Sequence, residues 1–261
     1  MNGSWQSGSD YERFMGRWSI LAARKFLHWL DVGPDRSWLD VGCGTGSLTK
    51  LILENYQPKE IIAIDSSGDF ISQAQRSITH PTVHFRLGLA QSLDLDSNSM
   101  DAVVSGLVLN FIPQPKDAIL EMMRVTKPGG KIGVFVWDYA SGMQMLRYFW
   151  DAAAALDPNA RELDEGARFL LCQAGQLESF LLEFELKDVE AASIEVTTVF
   201  QDFDDYWQPF FGNAGSASRY TRSLNLNDRQ KLEDKLRKSL PIGDHGSISL
   251  TARAWAVKGT A

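Results

Sequence analysis

Residues 38–46 read WLDVGCGTG: an apolar run, then Gly42, Gly44 and Gly46 spaced two apart. Glycine has no Cβ, so the backbone can turn through positive φ and a ligand can approach the main chain closely. An apolar-periodic stretch follows at residues 47–55, and the segment reads as strand, tight turn and helix. A helix beginning there offers unpaired N–H groups in its first turn, which suit a carboxylate or a polar nucleoside edge. Taken alone, the same turn also serves as an ordinary structural connection.

The rest of the first half repeats this unit. Trp18, Leu21, Ala22, Phe26, Trp29 and Leu30 form a helical stripe over residues 17–30, ended by Gly33 and Pro34. Strands are expected at 37–41, 60–65, 82–87, 101–106 and 131–137, with helices at 47–55, 69–78 and 115–125. Pro115 suits a first helical turn. Lys127-Pro128-Gly129-Gly130 reads as a turn before the fifth strand. Such alternation predicts a parallel sheet with helices on both faces.

The second half is different. Helices are expected at 144–156, 173–184 and 227–239, and strands at 192–200 and 247–257. In the last of these, Ile248, Leu250, Ala252, Ala254 and Ala256 share one face.

Composition narrows the ligand classes. The 261 residues carry a net charge of −7, with a pI of about 5.2, which disfavours nucleic acid and anionic membrane surfaces as partners. Two cysteines, Cys43 and Cys172, make no disulfide framework. Residues 1–10 lack the basic head and apolar core of a secretion signal. No apolar stretch reaches membrane-spanning length, so a cytoplasmic protein is expected. The histidines (His28, His80, His84, His245) show no metal-ligand spacing, and no metal is expected.

Asp65 stands 19 residues after Gly46, at the end of the second strand. A carboxylate there can accept from both hydroxyls of a ribose, at roughly 1.5–3 kcal/mol for each charge-assisted bond. At this point four segments, LDVGCGTG (39–46), IDSS (64–67), MDAVVS (100–105) and RVTKPGG (124–130), together resemble the class I S-adenosylmethionine-dependent methyltransferases, in the branch similar to ubiquinone and menaquinone biosynthesis methyltransferases. The resemblance covers roughly residues 10–138. It implies an α/β, Rossmann-like fold: a seven-stranded, mostly parallel sheet with helices on both faces, an antiparallel last strand and a helical cap or insertion. It also implies S-adenosyl-L-methionine as cofactor. Three regions are expected: an N-terminal helical cap at 1–36, a cofactor-binding core at 37–200 and 241–261, and an inserted lid or substrate segment at 201–240.

Carried over residue by residue, the resemblance assigns Asp40, Gly42, Cys43, Gly44 and Gly46 to the cofactor loop. It assigns Asp65 to the ribose, Ser66, Ala90 and Gln91 to the adenine side, and Ser105 to the end of the fourth strand. The family often carries an acid where this chain has Leu89, which shifts adenine recognition toward Gln91 and backbone groups. The nearest rival is a nicotinamide-dependent oxidoreductase, whose G-x-G-x-x-G would need glycine at Ser47. A non-catalytic S-adenosylmethionine-binding module is a third reading.

Methyl transfer uses an electrophile already activated in the cofactor, so a dedicated nucleophile is not required. The expected acceptor is a small molecule with an oxygen, carbon or nitrogen nucleophile; neither N-P-P-Y nor D-P-P-Y occurs. In related enzymes an N-terminal segment folds over the cofactor, which suggests Tyr11 and Arg17 for its carboxylate. Trp18, Asn110, Trp137, Tyr139 and Trp207 are candidate substrate contacts. Asp138, Tyr206 and His245 are candidate bases. The aromatic segment 200–211 reads either as a lid or as packing for an inserted helix pair. The sequence leaves the oligomeric state open.

Overall fold

The structure is a computed structural model and describes residues 15–213 and 215–261. Its principal elements, in chain order, are α1 (Arg17–Leu30), β1 (Ser37–Val41), α2 (Ser47–Asn55), β2 (Glu60–Asp65), α3 (Gly68–Ser77), β3 (Val83–Leu87), β4 (Met100–Gly106), α4 (Pro115–Val125) and β5 (Thr126–Trp137). They continue with α5 (Gln144–Leu156), α6 (Gln176–Leu181), β6 (Lys187–Phe200), α7 (Gly215–Ser223), α8 (Leu226–Ser239) and β7 (Ile248–Thr260). The seven strands form one sheet in the order β3-β2-β1-β4-β5-β7-β6, parallel except for its last strand.

The chain divides into two compact units. The first, here the loop unit, comprises residues 20–136, 175–194 and 255–261; the second, the helical unit, comprises 1–19, 137–174 and 195–254.

In the loop unit, β1 pairs in parallel with β2 on one side and β4 on the other, with Leu39 opposite both Ile62 and Val103. Every residue of β1 is buried, as a strand covered on both faces requires. α1 places Ala22, Phe26, Leu27 and Leu30 inward, whereas Leu21 of the predicted stripe is 38% exposed. At Gly133 an added Cβ would lie 2.7 Å from Leu30 Cδ1, so β5 and α1 meet at a glycine.

Several boundaries differ from expectation. Residues 127–130 are not a turn before the fifth strand but part of it; β5 begins at Thr126, opposite Met100, and the register slips between Met100 and Ala102. Gly129, at φ 79°, absorbs the slip as a bulge inside the strand. The helix expected at 173–184 shrinks to residues 176–181, entered through Gly175 at φ 75°. β6 starts at Lys187, five residues early, because its first residues alternate little and are largely exposed.

The helical unit holds an aromatic core. Phe149 stacks on Phe210 at 4.5 Å between ring centroids, and Phe200, Tyr206 and Trp150 are all at most 1% exposed. Residues 200–211 therefore act as packing, with Phe203, Tyr206, Trp207 and Phe210 all buried. The segment at 201–240, set apart in the sequence, belongs to the same unit as α5. Among the described residues no helix is long and apolar enough to cross a membrane.

Candidate functional site

The glycine turn is built by positive φ at all three glycines: 76° at Gly42, 55° at Gly44 and 91° at Gly46. The Gly42 and Cys43 N–H groups both donate to the Ile64 carbonyl, at 2.7 and 3.0 Å, tying the turn to the end of β2. Two glycines are required by close approach. A Cβ on Gly42 would fall 2.5 Å from Val108 Cγ1, and one on Gly46 2.9 Å from Ile78 Cδ1. Gly44 is different: nothing lies within 4 Å of its Cβ position. Its backbone thus faces open space while its N–H donates to Asp65 Oδ2 at 2.9 Å.

Asp65 is fixed from both sides. Its second oxygen accepts from the Ser67 N–H at 2.8 Å. A carboxylate has about four lone-pair positions, so each oxygen retains acceptor capacity for a ligand hydroxyl. Burial pushes this carboxyl above the ordinary carboxylate value, with the N–H bonds from Ser67, Gly44 and Ser66 opposing it. Ser67 Oγ then accepts from the Phe70 N–H and caps α3. The N-cap of α2 is Gly46, which has no side chain to cap it.

The other assigned residues fall into two sets. Ser66 is exposed, and Ala90 and Gln91 are half-buried, with Gln91 Nε2 donating to Gln114 Oε1 at 3.3 Å. Leu89 is 57% exposed, so the adenine-side position that lacks an acid projects an apolar side chain to solvent. By contrast, the side chains of Asp40, Cys43 and Ser105 are buried within the fold. The Cys43 side chain packs with Ala63, Ile71 and Phe85, and burial pushes its thiol well up. Ser105 Oγ donates to the Val41 carbonyl at 2.8 Å, linking β4 to β1. Asp40 is fully buried and accepts from Thr49 Oγ1 at 2.6 Å, joining β1 to α2. Those side chains support the turn, and only their backbone is available to a ligand. Thr49 and Val108, which the sequence did not single out, carry as much of the turn as the assigned residues; the signal for Thr49 is a hydroxyl on the inward stripe of α2.

Burial raises the Asp40 carboxyl from 3.8 to about 7, with the Thr49 hydroxyl opposing and the Asp65 charge adding. The folded chain therefore binds this proton more tightly than the unfolded chain. Between pH 4 and 7 the stabilisation it gives is lost as pH rises, and it is flat outside that window. Urea unfolding of Asp40→Asn should accordingly show a shallower decline in stability from pH 4 to 7 than the parent. Superimposable slopes would contradict the assignment.

In the helical unit the proposed bases receive a correction. Asp138 is 0% exposed, and its carboxylate accepts from Ser141 N–H, Ser141 Oγ, and Arg253 Nε and Nη2, the last at 2.7 Å. It closes the loop after β5, buried and paired with Arg253. Tyr206 is fully buried, and its hydroxyl donates to the Met145 carbonyl at 2.9 Å; burial pushes its phenol well up. Both are framework groups. Tyr206→Phe should destabilise the fold by about 1–2 kcal/mol, since it leaves a buried carbonyl without its donor, as thermal unfolding would show. His245 is exposed in the turn at 243–246. Trp137, Tyr139 and Trp207 are buried. Asn110 is half-buried in the turn Leu109–Phe111, in the loop unit, with its Nδ2 enclosed and unpartnered. Tyr11 lies outside the described residues.

Comparison with known proteins adds to this geometry. Residues 39–134 match the family model described as a methyltransferase domain. A Mycobacterium bovis methyltransferase of uncharacterised role is 33% identical over 112 residues, covering 43% of this chain and 44% of that protein. The demethylmenaquinone methyltransferase of Renibacterium salmoninarum is 36% identical over 101 residues, 39% of this chain and 41% of that one. The chain thus spans about two fifths of these relatives' length. In fold, it resembles phosphoethanolamine N-methyltransferase 2 of Haemonchus contortus, solved with phosphomonomethylethanolamine and S-adenosylhomocysteine: TM-score 0.59, 14% identity, 97% of this chain and 56% of that one. The matched segment runs from within β1 to within β5 and holds the glycine turn and Asp65.

Proposed function

We propose that this chain, whose residues 39–134 match a methyltransferase domain, moves a methyl group from S-adenosylmethionine to a small molecule. The observation that carries this reading is the pairing of Gly44 with Asp65. An open glycine backbone and a half-enclosed carboxylate, joined by one 2.9 Å bond, suit a ligand with both a vicinal diol and an extended polar chain. When bound, S-adenosylmethionine would supply an electrophilic methyl carbon to an acceptor's lone pair, in line with the sulfur, and S-adenosylhomocysteine would be the leaving group.

The roles of this chain's residues follow from the geometry. Asp65 accepts from the ribose hydroxyls, the uncapped first turn of α2 and the Gly44 backbone receive the amino-acid part, and Gln91 serves the adenine side. Thr49 and Asp40 hold the turn rigid. The acidic composition, net −7, supports a small acceptor over a nucleic acid. Neither Asp138 nor Tyr206 is free to act as base, so the acceptor is one that reacts without a protein carboxylate or phenolate from these positions.

The test is incubation of the purified protein with methyl-labelled S-adenosylmethionine and a metabolite extract. Label in a small metabolite supports the proposal. Tight cofactor binding with no transfer would favour a non-catalytic binding module, and recovery of a nicotinamide nucleotide from the protein would overturn the cofactor assignment.

A further inference from the structure

Three arginines of the helical unit are matched with acids: Arg147 with Asp164, Arg237 with Glu233 and Arg253 with Asp138. Two others are matched with each other's partner instead. Arg168 Nη1 donates to Ser216 Oγ at 3.0 Å, and Arg219 Nη2 reaches the same oxygen at 3.5 Å. The two cations come from different elements, the short helix Glu165–Arg168 and α7, and converge on one neutral hydroxyl. Both arginines are exposed, whereas Ser216 is 3% exposed.

The acids of this cluster are committed elsewhere. Asp164 accepts from both Nη groups of Arg147 and from the Gly166 N–H. Glu165 accepts from Trp150 Nε1 at 2.7 Å and from the Ser216 N–H at 3.0 Å, so the start of α7 is already occupied. Burial pushes the Glu165 carboxyl up, which favours its neutral form. Among the described residues, no carboxylate forms an ion pair with Arg168 or Arg219. Like charges held this close repel, and an anion between them relieves the repulsion. The donors for it are present. A guanidinium has five N–H groups, and each of these two spends one on Ser216. The Ser216 oxygen accepts twice, and its own hydrogen has no acceptor among the described residues. Phe169 lies 5.6 Å under the Arg168 guanidinium and steadies it.

We infer that Arg168, Arg219 and Ser216 form a binding site for the phosphate group of a small phosphate monoester. A tetrahedral dianion has three terminal oxygens, one for each of the three residues, and its charge equals that of the two guanidiniums. A planar carboxylate is satisfied by the single Nε–Nη2 edge of one arginine, as Glu233 is by Arg237. The net charge of −7 opposes a polyphosphate chain such as a nucleic acid and leaves a small ester as the ligand. This site lies within the helical unit and is independent of the methyltransferase reading.

Calorimetry on the full chain tests it, with glycerol 3-phosphate, inorganic phosphate and acetate as probes and no cofactor present. Arg168→Gln and Arg219→Gln alter exposed side chains, and Ser216→Ala removes only the hydroxyl. Arg237→Gln removes the same charge elsewhere in the unit and serves as the control. The expected result is one phosphate ester bound per chain, with affinity falling about tenfold in each of the first two variants and less in Ser216→Ala. Arg237→Gln should stay within twofold of the parent, and acetate should bind at least tenfold more weakly than phosphate. The two arginine variants carry the test should Ser216→Ala fail to fold. No phosphate bound by the parent at millimolar concentration would overturn the site, as would an equal loss in Arg237→Gln or unchanged affinity in both Arg168→Gln and Arg219→Gln. Acetate binding as tightly as phosphate would overturn the assignment to a phosphate ester.

Discussion

Asp65→Ala should weaken binding of S-adenosylhomocysteine roughly a hundredfold, about 3 kcal/mol. The carboxylate bridges the Gly44 and Ser67 N–H groups and offers its remaining lone pairs to the ribose. Alanine removes the ligand contacts and releases the glycine turn from the start of α3. Asp65→Asn should fall between the two, because the amide keeps one acceptor and loses the charge. Calorimetric titration of the three proteins checks this order. Equal affinities would show that the ribose is held elsewhere and would remove the main support for the proposed function.

Asp138→Ala should act on the fold instead. Loss of one partner from a buried ion pair costs about 3–5 kcal/mol. The lower end applies here, because Arg253 keeps Glu195 within 3.5 Å and is itself partly exposed. An effect of about 3 kcal/mol corresponds to a melting shift of roughly 6–12 °C in a chain of this size. Differential scanning calorimetry reads it directly. A general base behaves in the opposite way: its replacement abolishes turnover and leaves the melting temperature in place. An unchanged melting temperature would therefore return Asp138 to the list of candidate bases.

These two aspartates illustrate which features the sequence made legible. Asp65 was readable because its role is local. It follows a run of apolar residues, precedes a helix cap, and lies at a fixed distance from the glycines. Its partners Gly44 and Ser67 are supplied by the same strand-turn-helix grammar. β1, α2, β2 and α4 were legible for the same reason, since periodicity within one element decides them. The alternation of Ile248, Leu250, Ala252, Ala254 and Ala256 likewise placed the buried face of β7, where each of them is at most 2% exposed.

The bonds of Asp138 and Tyr206 were not legible because their partners are distant. Arg253 is 115 residues from Asp138, and Met145 is 61 residues from Tyr206. No local pattern announces such a pairing, so a polar side chain after a strand looks available when it is already bonded. Asp40 shows a subtler version. Its position in the turn was correct, yet whether its carboxylate faces ligand or Thr49 depends on how α2 packs back on β1. Lys127 to Gly130 failed in a third way. Proline and two glycines normally end a strand, but a bulge opposite Met100 and Ala102 lets the ladder continue.

The order of strands in the sheet has a consequence for biosynthesis. β7 is the last of the seven to leave the ribosome, yet it lies between β5 and β6. β5 and β6 each await a neighbour that has not been made, and their backbone donors and acceptors stay unpaired on that side meanwhile. Exposed strand edges of this kind invite pairing with other chains. The nascent protein is thus most vulnerable to aggregation after β6 has emerged and before β7 has. A pause in translation within residues 201–247 would lengthen that window, and chaperone dependence should concentrate there.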